Sequence, residues 1–130
     1  MRPNEDEYYL DIAKAVSRRS TCLRRQYGAV IVKNKEIIAT GYNGAPRGCD
    51  NCCDIGKCNR EGCTHNDGNY GSCRSVHAEM NAIISASRQE MIGSTLYLAG
   101  FEDEKLIHAT PCPICKRLII NAGIAKIILT

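Results

Sequence analysis

His77-Ala78-Glu79-Met80-Asn81-Ala82-Ile83-Ile84-Ser85-Ala86-Ser87-Arg88 is the stretch that decides how this chain is read, together with Pro111-Cys112-Pro113-Ile114-Cys115 downstream. Met80 to Arg88 is rich in helix formers. Lys116 to Asn121 continues a second apolar run that ends at Gly123, a residue suited to closing a helix. Each polar cluster therefore opens a helix after an apolar, strand-like run. In mid-helix, residues two apart such as His77 and Glu79 point roughly 200° from one another. They converge only on a point beyond the helix N-terminus. Cys112 and Cys115 share a face, and Pro111 or Pro113 suits a first turn whose N–H groups lack intrahelical partners.

One imidazole and two thiols are the ligands of an open Zn²⁺ site, which keeps a position for water, and a carboxylate beside it suits a proton carrier. His77, Cys112 and Cys115 are thus the candidate metal ligands and Glu79 the candidate catalytic acid and base. The positive helix ends favour both sulfurs as thiolates. Taken singly, His-x-Glu arises by chance, and Cys-x-x-Cys also serves redox pairs and structural zinc knuckles. Here the intervening Pro-Ile has no redox partner sequence, and a knuckle has no use for Glu79. The conjunction is the signature of zinc-dependent nucleobase deaminases. In that chemistry hydroxide adds to the amidine-like carbon of cytosine or adenine and ammonia leaves, so one carboxylate must move protons from water to ring nitrogen and amine.

The rest of the 130-residue chain agrees with a single small domain, residues 1–130. No N-terminal segment pairs basic residues with a long apolar stretch, and no run approaches the ~20 residues that span a bilayer. A cytoplasmic protein with no membrane contact is expected. Along the chain, Glu5 to Arg19 has apolar residues near helical spacing. Gly28 to Val32 and Glu36 to Tyr42 flank Asn34-Lys35 as a hairpin. The His77 helix, a strand at Ser94 to Leu98, a loop, the Cys112 helix and a strand at Ile124 to Leu129 complete the order.

Between the hairpin and the His77 helix lies a long irregular stretch that needs a pin. Cys49, Cys52, Cys53, Cys58, Cys63, His65 and Cys73 fall in it, with Cys22 ahead of the first strand. Buried apolar thiols are the ordinary fate of free cysteine, but this density favours a second, closed, structural zinc, with 49–75 as a Cys-rich insertion. The net charge of +3 is weak support for a polyanion-binding surface, so nucleic acid is not an expected partner. Basic residues still cluster at Arg18, Arg19, Arg24 and Arg25, with Arg47 and Arg74 in loops. A single phosphate needs only two or three such donors, and Arg24, Arg25 and Arg74 are the candidates.

The whole chain resembles the deoxycytidylate deaminases of the cytidine-deaminase-like superfamily. Ser20-Thr21-Cys22, Gly28-Ala29-Val30, Gly41-Tyr42-Asn43-Gly44-Ala45-Pro46-Arg47-Gly48, the His77 motif and the Cys112 motif occur in that order. The resemblance implies an α/β fold, a three-layer α/β/α sandwich with a mixed central sheet, assembled as a homo-oligomer, often a hexamer. It implies a catalytic Zn²⁺ on His77, Cys112 and Cys115, proton transfer by Glu79, and a hydrogen bond from Asn43 to the nucleoside. It also implies that Cys22 and Cys52 belong to the structural Zn²⁺, for which His65 and Cys73 are the first choices from the insertion. dCMP is the implied small-molecule nucleotide substrate, with dCTP and dTTP as effectors, and Mg²⁺ would accompany such a nucleotide. Against this stand a deaminase of another base, nucleoside or tRNA, and a non-enzymatic zinc-binding interaction module. Two departures mark the chain. Gly100 to His108 is inserted where relatives run almost directly from strand to cysteine motif, with a solvated hairpin expected in preference to contact of His108 or Glu104 with the ligand. The chain also stops after the last strand, where many relatives continue.

Overall fold

The computed structural model describes residues 1–51, 53, 56 and 75–130. Helix α1 (Glu5–Ser17) starts where Asn4 accepts the Glu7 N–H at 2.9 Å, with Glu5, Asp6 and Glu7 in its first turn. Acidic groups are favoured there by the exposed N–H dipoles. It ends two residues earlier than the periodicity predicts, with the Ser17 hydroxyl turned back on the Lys14 carbonyl at 2.6 Å. Strands β1 (Gln26–Lys33) and β2 (Glu36–Tyr42) form the expected hairpin. Asn34 and Lys35 both have positive φ, 52° and 63°, the two-residue turn whose twist matches antiparallel strands.

The run from Met80 to Arg88 is not one helix. Helix α2 (Ala78–Ile84) stops at Ser85, and Ser87 caps a separate turn, α3 (Arg88–Met91), accepting the Glu90 N–H at 3.2 Å. A serine followed three residues on by glutamate has capping-box spacing, and the cap starts a separate helical turn. Strand β3 (Thr95–Glu102) runs on to Glu102 and turns through Asp103 and Glu104, φ 51° and 63°, into β4 (Lys105–Ile107). The expected insertion is therefore a hairpin. Helix α4 (Pro113–Ala122) has proline in its first turn and is closed by Gly123 at φ 87°, as its sequence predicts. Strand β5 (Lys126–Leu129) follows.

The sheet order is β2-β1-β3-β4, antiparallel throughout, and β5 lies parallel to β3. Alternate residues of the central strands face opposite layers. Val30, Val32, Tyr97 and Ala99 pack on Tyr9 and Ala13 of α1. Ala29, Ile31, Leu96 and Leu98 pack on Ala78, Ala82 and Ile119 of α2 and α4. Helices thus cover both faces of a mixed sheet, the expected three-layer architecture. Among the described residues no helix is long and apolar enough to cross a membrane.

Two features position the helix that carries His77. A Cβ at Gly41 would run into the backbone at Ala78 and Ala82, so only glycine lets α2 lie this close to β2. Gly44 and Val76 then pair in both directions, at 3.1 and 2.6 Å, tying the exit of β2 to the residue before His77.

Candidate metal centre

His77 and Cys112 occupy the same position on two helices. Each is the N-cap residue, with extended backbone at ψ 155° and 165°, of α2 and α4 respectively. Both side chains therefore leave the helix ends toward a shared space, the convergence that mid-helix spacing forbids. Cys112 Sγ also accepts the Cys115 N–H at 3.4 Å, a sulfur cap that orients it over the first turn.

His77 Nδ1 lies 3.2 Å from Cys115 Sγ and 3.5 Å from Cys112 Sγ. The three ligand atoms all fall within 4.8 Å of one another. A tetrahedral Zn²⁺ with bonds of roughly 2.0–2.3 Å to N and S fits a set this tight. Cys112 and Cys115 are buried and His77 half-buried. Glu79 is only 4% exposed and its carboxyl interacts with the Cys115 thiol, each shifting the other's titration.

Burial pushes the Glu79 carboxyl above its ordinary range, against smaller lowering by its own backbone and Cys115. Burial also pushes the Cys115 thiol up, with Glu79 and Cys112 adding to it. A bound divalent cation would lower it, since a metal deprotonates a coordinating thiol outright. The donor set fits Zn²⁺ in ligand type and in geometry.

The other expected residues divide. Asn43 is buried at the same sheet edge, but its amide is engaged: Oδ1 accepts the Tyr27 N–H and Nδ2 donates to the Arg25 carbonyl, each at 2.9 Å. It braces the entry to β1. Arg25 Nε donates to Glu102 at 3.1 Å, and another of its nitrogens lies 3.5 Å from the Tyr27 hydroxyl. Arg24 and Cys22 are half-buried in the segment before β1. The Cys53 N–H donates to the Thr21 carbonyl at 3.1 Å, which places Cys53 beside Cys22. Cys52, His65, Cys73 and Arg74 lie outside the described residues.

Sequence reading missed Asn81, whose amide donates to the Tyr42 carbonyl at 2.8 Å and locks α2 to β2. It also missed Glu102. The alternation across Phe101 to Ile107 around Asp103-Glu104 was the available signal for the hairpin, whereas nothing local pointed from Glu102 to Arg25.

Comparison with known proteins agrees with this centre. The deoxycytidylate deaminase of Mycobacterium phage D29 is 39% identical over 133 residues, covering 98% of this chain and 94% of that protein. That of Saccharomyces cerevisiae is 37% identical over 98% of this chain, which spans 38% of the yeast protein. The crystal structure of dCMP deaminase from cyanophage S-TIM5 in complex with dCMP and dUMP matches with a TM-score of 0.68 at 31% identity, covering 98% of this chain and 81% of that one. Residues 3–130 match the cytidine and deoxycytidylate deaminase zinc-binding region, and the chain belongs to that family.

Proposed function

We propose that this protein hydrolyses dCMP to dUMP and ammonia. The observation that carries the reading is the gathering of His77 Nδ1, Cys112 Sγ and Cys115 Sγ within 4.8 Å, with the buried Glu79 carboxyl on Cys115. Its support on substrate is the likeness to deoxycytidylate deaminases and to a dCMP and dUMP complex.

His77, Cys112 and Cys115 would hold Zn²⁺, which when bound supplies the Lewis acidity that brings a water pKa to about 7. Glu79 takes one proton from the water that attacks C4 of cytosine and delivers it to ring N3. It then takes the second from the new C4 hydroxyl and gives it to the departing amine, so C4–N breaks as C4=O forms and water and dCMP give dUMP and NH₃. A carboxyl held above its ordinary range suits both halves of this task, because it takes up a proton more readily than a free carboxylate does. Asn43 braces the pocket edge and offers its second amide N–H to the sugar. Arg24, Arg25 and Arg74 are our choices for the phosphate.

A structural Zn²⁺ on Cys22, Cys52, His65 and Cys73 completes the reading, with the Cys22–Cys53 neighbourhood as its support. For a dCTP or dTTP effector with Mg²⁺ we choose a cleft of about 810 Å³ that includes Arg19, Thr21, Arg47 and Asn81 and none of the zinc ligands. We place the protein in the cytosol, where thiols stay reduced, as a homo-oligomer with a hexamer expected.

The test is ammonia release from dCMP, CMP, deoxycytidine, cytosine and a tRNA anticodon stem, with metal counted per chain. dCMP as the preferred substrate and two zinc equivalents are expected. Turnover of none of them would leave a zinc-binding interaction module.

A further inference from the structure

Strand β3 is paired along one edge by two strands set end to end: β5 against Thr95 to Leu98, and β4 against Gly100 to Glu102. Thr130 fills the junction. Its N–H donates to the Leu98 carbonyl at 3.1 Å, its hydroxyl accepts the Gly100 N–H at 3.3 Å, and the same hydroxyl donates to the Ile107 carbonyl at 2.9 Å. Its main-chain oxygen accepts the Ala109 N–H at 3.3 Å and is met by His108 Nδ1 at 2.8 Å. One residue therefore grips three successive positions, Ile107, His108 and Ala109.

Those positions lead directly into Pro111 and Cys112. We propose that Thr130 is a positioning residue for the metal ligand Cys112, acting through the segment 107–109. On the β4 side the other hold is the short ladder that pairs Ile107 with Gly100. β4 is three residues long, and Leu106 is 51% exposed, so side-chain burial contributes little there. From Ala109 onward the path is stiff. Ala109 is fully buried, and Pro111 and Pro113 each fix φ on either side of Cys112. A displacement where Thr130 grips is thus carried to the sulfur rather than absorbed between. This inference rests on the zinc ligands proposed above and does not depend on the identity of the substrate.

The experiment follows zinc release to a chromogenic chelator from the full-length, zinc-loaded protein. The phase abolished by Cys115→Ser identifies the catalytic site. Thr130→Val removes the hydroxyl but keeps its shape and its main-chain contacts with Leu98, Ala109 and His108, and Thr130→Ser restores the hydroxyl. Release from Thr130→Val is expected to be faster by roughly fivefold to tenfold, the weight of one or two hydrogen bonds, with Thr130→Ser near the parent rate. His108→Ala, at an exposed residue, is expected to quicken release by a smaller factor, and carries the test should Thr130→Val not fold. Parent-like release in Thr130→Val, or in His108→Ala when it stands alone, overturns the proposal. So does faster release in Thr130→Val that Thr130→Ser fails to restore. A parent that holds zinc yet deaminates nothing sinks the substrate reading alone, whereas a parent with no zinc at this site overturns both.

Discussion

His77 Nδ1 stands 3.2 Å from Cys115 Sγ across 38 residues of chain, and the contact joins the N-terminal ends of two different helices. Neither helix alone presents a metal site. Cys115→Ser replaces a soft sulfur with a poor zinc ligand in a fully buried position. We expect it to remove one zinc equivalent per chain and all measurable turnover. Retention of full zinc content would mean that the metal sits elsewhere.

Glu79→Gln separates chemistry from metal binding. The amide keeps the size of the side chain and loses its proton transfer, a contribution of roughly 10²- to 10⁴-fold in rate. Turnover of dCMP should fall by that factor, with zinc content and the circular dichroism spectrum unchanged. Parent-like turnover would remove Glu79 from the mechanism.

The same substitution should change how the metal-stripped protein responds to pH. The folded chain holds the Glu79 carboxyl above its ordinary pKa because the group is buried. Above roughly pH 4.3 the unfolded chain ionises this side chain while the folded chain still keeps it neutral, so folding stability falls with rising pH until the folded pKa is passed. Glutamine has no such penalty. The urea midpoints of parent and Glu79→Gln should agree near pH 4 and separate toward neutral pH, with the variant higher. Parallel curves across that range would contradict the burial.

The legible part of this chain was whatever short spacing encodes. The ligand motifs, the Asn34-Lys35 turn and Gly123 are decided by a few adjacent residues, and each lies where its spacing put it. The Met80 to Arg88 run misled because helix propensity does not weigh the capping competition that Ser87 and Glu90 win. The resemblance implies Asn43 as a substrate group, a task that suits an amide because it both donates and accepts. The same property lets it satisfy the Arg25 carbonyl and the Tyr27 N–H, and only the packed strand reveals that use. Glu102 and Thr130 were invisible for a simpler reason, since their partners are brought near by the sheet and not by the sequence.

Arg25 and Glu102 form a pair whose side chains are 22% and 38% exposed. Solvent screening holds such a pair to about 1 kcal/mol or less. Glu102→Ala should therefore barely move the melting temperature. It also frees the Arg25 guanidinium for a phosphate, so KM for dCMP should fall by up to about fivefold while KM for deoxycytidine stays put. Equal changes for both substrates would exclude Arg25 from phosphate recognition.

Gly41→Ala should couple fold to site most directly. The new methyl would meet backbone atoms of Ala78 and Ala82, and backbone cannot swing aside as a long side chain can. Overpacking of this kind costs about 1–3 kcal/mol, relieved only if α2 withdraws from β2. Withdrawal breaks the 2.8 Å bond from Asn81 to the Tyr42 carbonyl and carries His77 and Glu79 away from Cys112 and Cys115. The expected result is a protein that still folds, melts several degrees lower, and has lost both zinc affinity and turnover. Val32→Ala, on the opposite face of the sheet against α1, serves as the control: it should lower the melting temperature and leave zinc affinity alone. If both variants lose stability and zinc in the same proportion, the close approach at Gly41 has no particular bearing on the metal centre.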